Sequence, residues 1–99
     1  MRIYGWLKEL ADRRGSDLYL ATGAPACAKF DGALTPISAE TLAPGEVGNI
    51  ANELMDEAQR QEFERDLEMN LAVSLPEIGR FRVNIFRQRS EVSIVARFI

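Results

Sequence analysis

Two stretches of strict alternation stand near the C-terminal end of the chain. Phe81, Val83 and Ile85 alternate with Arg80, Arg82 and Asn84, and Val92, Ile94 and Ala96 alternate with Ser93, Val95 and Arg97. A period of two is that of a strand with one buried face. The polar pair Arg89-Ser90 between them predicts a short turn and an antiparallel hairpin, with Arg82 facing Arg97, Asn84 facing Val95 and Ile85 facing Ile94. One face then collects Phe81, Val83, Ile85, Val92, Ile94, Ala96 and Phe98. The other collects Arg82 and Arg97, with Arg80, Asn84 and Ser93 beside them.

The rest of the chain mixes helical and strand periods. Ile3, Trp6, Leu7, Leu10 and Ala11 follow the i, i+3, i+4 spacing of a helix with one buried stripe. Arg13 and Arg14 suit its C-terminal end, and Gly15 is expected to take the left-handed capping conformation. Residues 16–22 alternate as a strand with Leu18 and Leu20 inward and Asp17 and Tyr19 outward, until Gly23-Ala24-Pro25 breaks it. A second strand over 26–31, an Asp31-Gly32 turn and a short third strand from Ala33 to Ile37 follow, with Pro36 placing the third at a sheet edge. Cys27 is expected to be a small buried residue.

Pro44 is expected at the first position of a helix whose buried stripe is Val47, Ile50, Ala51, Leu54 and Met55, with Gly45 and Gly48 weakening its first turn. Asp56 and Gln59 have capping-box spacing for another helix, anchored by Ala58, Phe63 and Leu67. Its acidic run, Glu62, Glu64, Asp66 and Glu68, reads as a solvated face or as a contact for a basic partner subunit. Met69, Leu71, Val73 and Leu75 alternate as a strand, and Pro76-Glu77-Ile78-Gly79 turns into the hairpin. The prediction is one α+β domain over residues 1–99, a mostly antiparallel sheet with helices on one face.

Composition narrows the chemistry. With 46% hydrophobic and 27% charged residues the chain is an ordinary globular domain, and no apolar run approaches the ~20 residues of a membrane span. Histidine is absent and Cys27 is the single cysteine. Zinc sites of the usual kinds and Ser-His or Cys-His catalysis are therefore set aside. No G-x-x-x-x-G-K-[ST] phosphate loop occurs, so this stretch alone is expected to hydrolyse no nucleotide by that route. The sequence stops at Ile99 while still reading as strand, which suggests a piece of a longer protein.

Charge is uneven. Residues 79–99 hold five arginines (80, 82, 87, 89 and 97) against Glu91, a net of +4, while the other residues carry −7. The opposed Arg82 and Arg97 repel each other unless something anionic lies nearby. That something is either a phosphate or carboxylate ligand, which suits the forked guanidinium, or acidic side chains from elsewhere in the domain. The negative total charge disfavours bulk nucleic acid as a partner.

The run GRFRVNIFRQR, preceded by Glu68-Met69-Asn70-Leu71-Ala72-Val73-Ser74 and by Gly15-Ser16-Asp17-Leu18-Tyr19-Leu20, resembles the N-terminal domain of the PilT/PilU ATPases. These motors retract type IV pilus fibres and sit within the wider secretion-ATPase superfamily. The resemblance covers nearly the whole chain, and FRQR with GSDLYL looks closer to PilU. It implies a PAS-like domain joined to a C-terminal RecA-like ATPase domain, absent from this sequence, that carries the phosphate loop and uses ATP and Mg2+. It implies a homo-hexamer working in the cytoplasm at the inner-membrane pilus machinery, with a paralogous retraction ATPase as a possible partner. By the same resemblance Arg82 and Arg97 reach the nucleotide phosphates, and Arg80 and Arg87 are further candidates for phosphate or subunit contact. Two alternatives are a free-standing PAS-like ligand sensor and a pure protein-interaction module.

Overall fold

The computed structural model describes residues 1–99. Helix α1 (Arg2–Asp12) is followed by strands β1 (Asp17–Leu20), β2 (Pro25–Phe30) and β3 (Ala33–Thr41). Helices α2 (Glu46–Leu54) and α3 (Glu57–Asp66) then precede strands β4 (Glu68–Leu75), β5 (Gly79–Gln88) and β6 (Glu91–Phe98). The six strands form one antiparallel sheet in the order β3-β2-β1-β6-β5-β4. It consists of two three-stranded meanders joined where β1 pairs with β6. A lone bridge between Thr22 and Leu42 is the one parallel contact.

The hairpin register is the one its alternation predicts. Arg82 faces Arg97, Asn84 faces Val95 and Ile85 faces Ile94. Only Arg89 and Ser90 lie between the strands, and Arg89 takes a left-handed φ of 61°. A two-residue turn leaves the pairing no room to slip, so turn and pattern fix the same register. The three helices lie on one face of the sheet, α1 against β1, α2 against β6 and α3 against β4. There Ile3, Leu7, Leu10, Val47 and Ile50 close over Leu18, Leu20, Phe81, Val83, Ile85 and Ile94 in a single buried cluster.

Helix ends show where local chemistry decides. Asp56 and Gln59 form the full reciprocal capping box of α3. At the end of α1 the left-handed residue is Arg14 (φ 58°), not Gly15, and Gly15 N–H reaches back to Leu10 O at 2.8 Å. Glycine is needed at 15 for another reason. A Cβ there would stand 2.6 Å from Leu10 Cδ1 and 2.8 Å from Phe30 Cε1. For α2 the cap is Gly45 at φ 83°, so Pro44 sits in the turn before the helix rather than at its first position. Glu91 ties that turn to the hairpin by accepting from Thr22 Oγ1 (2.7 Å) and Gly45 N–H (3.2 Å).

Several expectations are corrected. Strand β3 runs on to Thr41 rather than stopping at Ile37, because Ser38 Oγ accepts from Ala26 N–H and holds the edge to β2. Of the three residues expected to anchor α3, only Phe63 is buried. Ala58 is exposed, and Leu67 is 48% exposed at a left-handed C-cap. Cys27 is half-buried, because Ala26 and Ala28 take the core side of β2 and turn it to the open face.

Two glycines with opposite surroundings test this packing. Gly15→Ala is expected to destabilise the fold by about 1–3 kcal/mol, since Leu10 and Phe30 must both shift. Gly48→Ala meets only Val92 Cγ2 at 3.7 Å inside α2, and is expected to stabilise by on the order of 0.5 kcal/mol. Denaturant unfolding of the two variants measures both. A neutral Gly15→Ala would show that the α1–β2 corner is loosely packed.

Candidate functional site

On the face of the sheet without helices, four strands bring polar groups together. Strand β1 supplies Asp17, β6 supplies Arg97, β5 supplies Arg82 and Asn84, and β4 supplies Asn70. These residues, together with Leu71, Val83 and Val95, line an open depression of about 230 Å³. Alternation explains the gathering, because each of the five is the outward member of a strand whose inward members fill the core.

The two arginines face each other in register but differ in what they touch. Arg97 donates from Nε to Asp17 Oδ1 at 2.9 Å. Asp17 is 4% exposed and is the one buried charged residue in the chain, while the Arg97 side chain remains 70% exposed. Arg82 is exposed and has no hydrogen-bond or ion-pair partner within the chain. Asn84 Nδ2 donates to Asn70 Oδ1 at 2.9 Å and to Glu68 Oε1 at 3.3 Å, so the amide pair is held beside Arg82.

Burial by itself pushes the Asp17 carboxyl up, but hydrogen bonds from Arg97 and Ser16 and the charges of Arg97 and Lys29 outweigh it. The carboxyl is held below its ordinary value. Arg97 is correspondingly held more firmly protonated, first by its hydrogen bond to Asp17. The chemistry available is electrostatic. The depression presents one uncompensated guanidinium and one whose outer N–H groups are free, a donor set that fits a phosphate group. No cluster of three acidic or thiol groups suited to a metal ion is present.

The four arginines singled out in the sequence separate in space. Arg80 is exposed on the same face as Arg82, two residues along β5. Arg87 lies on the helix side instead, donating to Glu64 Oε1 at 3.4 Å with its guanidinium 5.6 Å from the Phe63 ring. Asp17 was missed as a site residue. The signal available was a carboxylate opening a short, otherwise apolar strand, which needs a cation once buried. Its partner lies 80 residues away.

No family model matches the chain. It is 37% identical over 93 residues to the type IV pilus ATPase PilU of Pseudomonas aeruginosa, covering 94% of this chain and 24% of that protein. It is 34% identical over 89 residues to the type IV pilus retraction ATPase PilT of the same organism, covering 90% and 26%. Among solved structures it matches the pilus retraction motor PilT with bound ADP at a TM-score of 0.88 and 30% identity, over 98% of this chain and 29% of that one. The chain is thus homologous to PilU and PilT and shares the α+β fold of the matched part, while spanning about a quarter of the curated relatives' length.

The ion pair carries its own test. The native pair contributes stability fully above the ordinary carboxyl value of about 4, and loses it as pH falls through the depressed folded value. In Arg97→Ala the buried Asp17 has lost its main partner, so its folded value rises and acid relieves the strain. The melting-temperature gap between wild type and Arg97→Ala is therefore expected to be wide at pH 7 and to close toward pH 4. Arg82→Ala, with no partner to strand, is expected to melt like wild type at both. A gap that stays the same across this range would show that Asp17 does not depend on Arg97.

Proposed function

We propose that this chain is the N-terminal domain of a type IV pilus retraction ATPase, and that Arg82 and Arg97 contact the phosphates of bound nucleotide. The observation that carries the reading is the open depression in which an unpartnered Arg82 stands opposite Arg97, in a chain homologous to PilU and PilT. A buried acid satisfies part of Arg97, and nothing in the chain satisfies Arg82. An anionic group from outside completes both.

In this reading ATP and Mg2+ are bound by a following RecA-like ATPase domain, which supplies the phosphate loop and the hydrolytic chemistry. The contribution of the present residues is positional and electrostatic. Arg82 offers an uncompensated charge, and Arg97 offers its outer N–H groups toward the charge that develops as the phosphoryl group transfers. The bare sheet face, rather than an enclosed interior cavity, is where the domain meets its nucleotide. A PAS-like classification suits the antiparallel sheet with helices on one side. The assembly is a homo-hexamer in the cytoplasm, working at the inner-membrane pilus machinery alongside a paralogous retraction ATPase. Exposed Arg80 is free for a neighbouring subunit, whereas Arg87, engaged by α3, serves the domain's own packing.

Arg82→Ala is the cleaner variant, because removing it strands no buried acid. In the full-length protein it is expected to lower ATP turnover about a hundredfold, as for loss of one transition-state donor, with a much smaller change in nucleotide affinity. The 99-residue chain alone is expected to show no ATPase activity. Wild-type turnover in both Arg82→Ala and Arg97→Ala would refute the phosphate-contact reading.

A further inference from the structure

We propose that Asp17 is a positioning residue for Arg97: by accepting Nε–H from below, it fixes the guanidinium so that its outer N–H groups face the depression shared with Arg82. The inference rests on the phosphate-contact reading above and adds to it the residue that prepares one of its two arms.

The geometry is directional. Asp17 takes only Nε of Arg97, at 2.9 Å, leaving the terminal nitrogens of the fork without a partner in the chain. The acid is sealed on β1 while the arginine head stays largely in solvent. An ion pair serving stability alone is a poor use of a central strand, since well-packed apolar residues generally do as well or better. Here the neighbours on the same face, Tyr19 and Val95, show that apolar side chains are accommodated beside it.

Two further groups make sense of the arrangement. Opposed in register, Arg82 and Arg97 would swing apart through like-charge repulsion. Asp17 draws Arg97 toward β1, balances its charge and leaves the space between the two arginines open. Lys29, opposite Asp17 on the other flank, adds a second cation that favours the ionised acid. A guanidinium already held in one orientation loses less freedom when a phosphate arrives, which is what preorganisation contributes to both binding and catalysis.

The inference separates hold from charge. Asp17→Asn keeps a hydrogen-bond acceptor of the same shape but makes it neutral, so Arg97 is held less firmly while the depression becomes more positive. In the full-length protein this variant is expected to turn over ATP about tenfold more slowly, the difference between a charged and a neutral acceptor. The dissociation constant of a fluorescent ADP is expected to stay the same or tighten. The double variant Asp17→Asn/Arg97→Ala is expected to be no slower than Arg97→Ala alone, because both changes act through one guanidinium. Arg97→Lys retains the charge next to Asp17 without a fork, and is expected to lose turnover as Arg97→Ala does while melting closer to wild type.

Unchanged turnover in Asp17→Asn, affinity lost in step with turnover, or losses that multiply in the double variant would each overturn the inference. If Asp17→Asn does not fold, wild-type turnover in Arg97→Lys does the same. Should Arg97→Ala and Arg82→Ala both turn over normally, the phosphate-contact reading fails. Should they be slow while Asp17→Asn is silent, only the role of Asp17 is lost.

Discussion

The pairing of β1 with β6 is the contact on which the rest of the molecule depends. Each three-stranded meander forms from neighbours in sequence, β1-β2-β3 at one end and β4-β5-β6 at the other. Neither meander has a core of its own, because the helices that cover them come from between and before them. Only when Leu18 and Leu20 of β1 lie beside Ala96 and Ile94 of β6 does a continuous apolar floor exist for α1 and α2. That joint closes a loop of some eighty residues, so its ordering cost is met by the whole core and not by the strands alone. Strand β1 has four residues, which leaves little redundancy.

The same joint creates the site. Placing all three helices on one face leaves the other face bare, and alternation sends every second residue there. At the β1–β6 seam this brings Asp17 against Arg97, and one strand further Arg82. The sheet therefore presents one paired and one unpaired guanidinium a strand apart, on strands that are paired on both sides. Sites built on strands hold their side chains more closely than sites on loops, which suits the phosphate contact proposed for these arginines.

Much of this was legible in the sequence, for identifiable reasons. The β5–β6 register could be read because the alternation and the two-residue Arg89-Ser90 turn are local and agree. The α3 capping box could be read because Asp56 and Gln59 are three residues apart. What could not be read depends on distant partners. Strand β3 continues past Ile37 because Ser38 finds Ala26 N–H across the sheet, not because of its own pattern. Helix α3 is polar on nearly every side, so choosing Ala58 and Leu67 as anchors had no strong stripe to guide it; Phe63 alone reaches the core. The opposed arginines were visible, yet which of them had an internal partner was not, since Asp17 reaches Arg97 only through the long-range seam.

An internal ion pair and the proposed anion site are compatible on this arginine face. Asp17 satisfies one arginine through one nitrogen, and the other arginine is left with nothing. Had stability been the sole constraint, a second acid opposite Arg82 would have neutralised it; the position across β4 is Ala72, which has no polar group to offer. Glu68 and Asn70, the polar residues nearby on that strand, are instead taken up by Asn84. The chain thus leaves Arg82 without a partner, while exposed Glu64 and Asp66 of α3 pair with Arg87 and Arg65 and Glu62 faces solvent. Acids are not scarce in this sequence, yet none pairs with Arg82, and that placement agrees with the anion contact proposed for it.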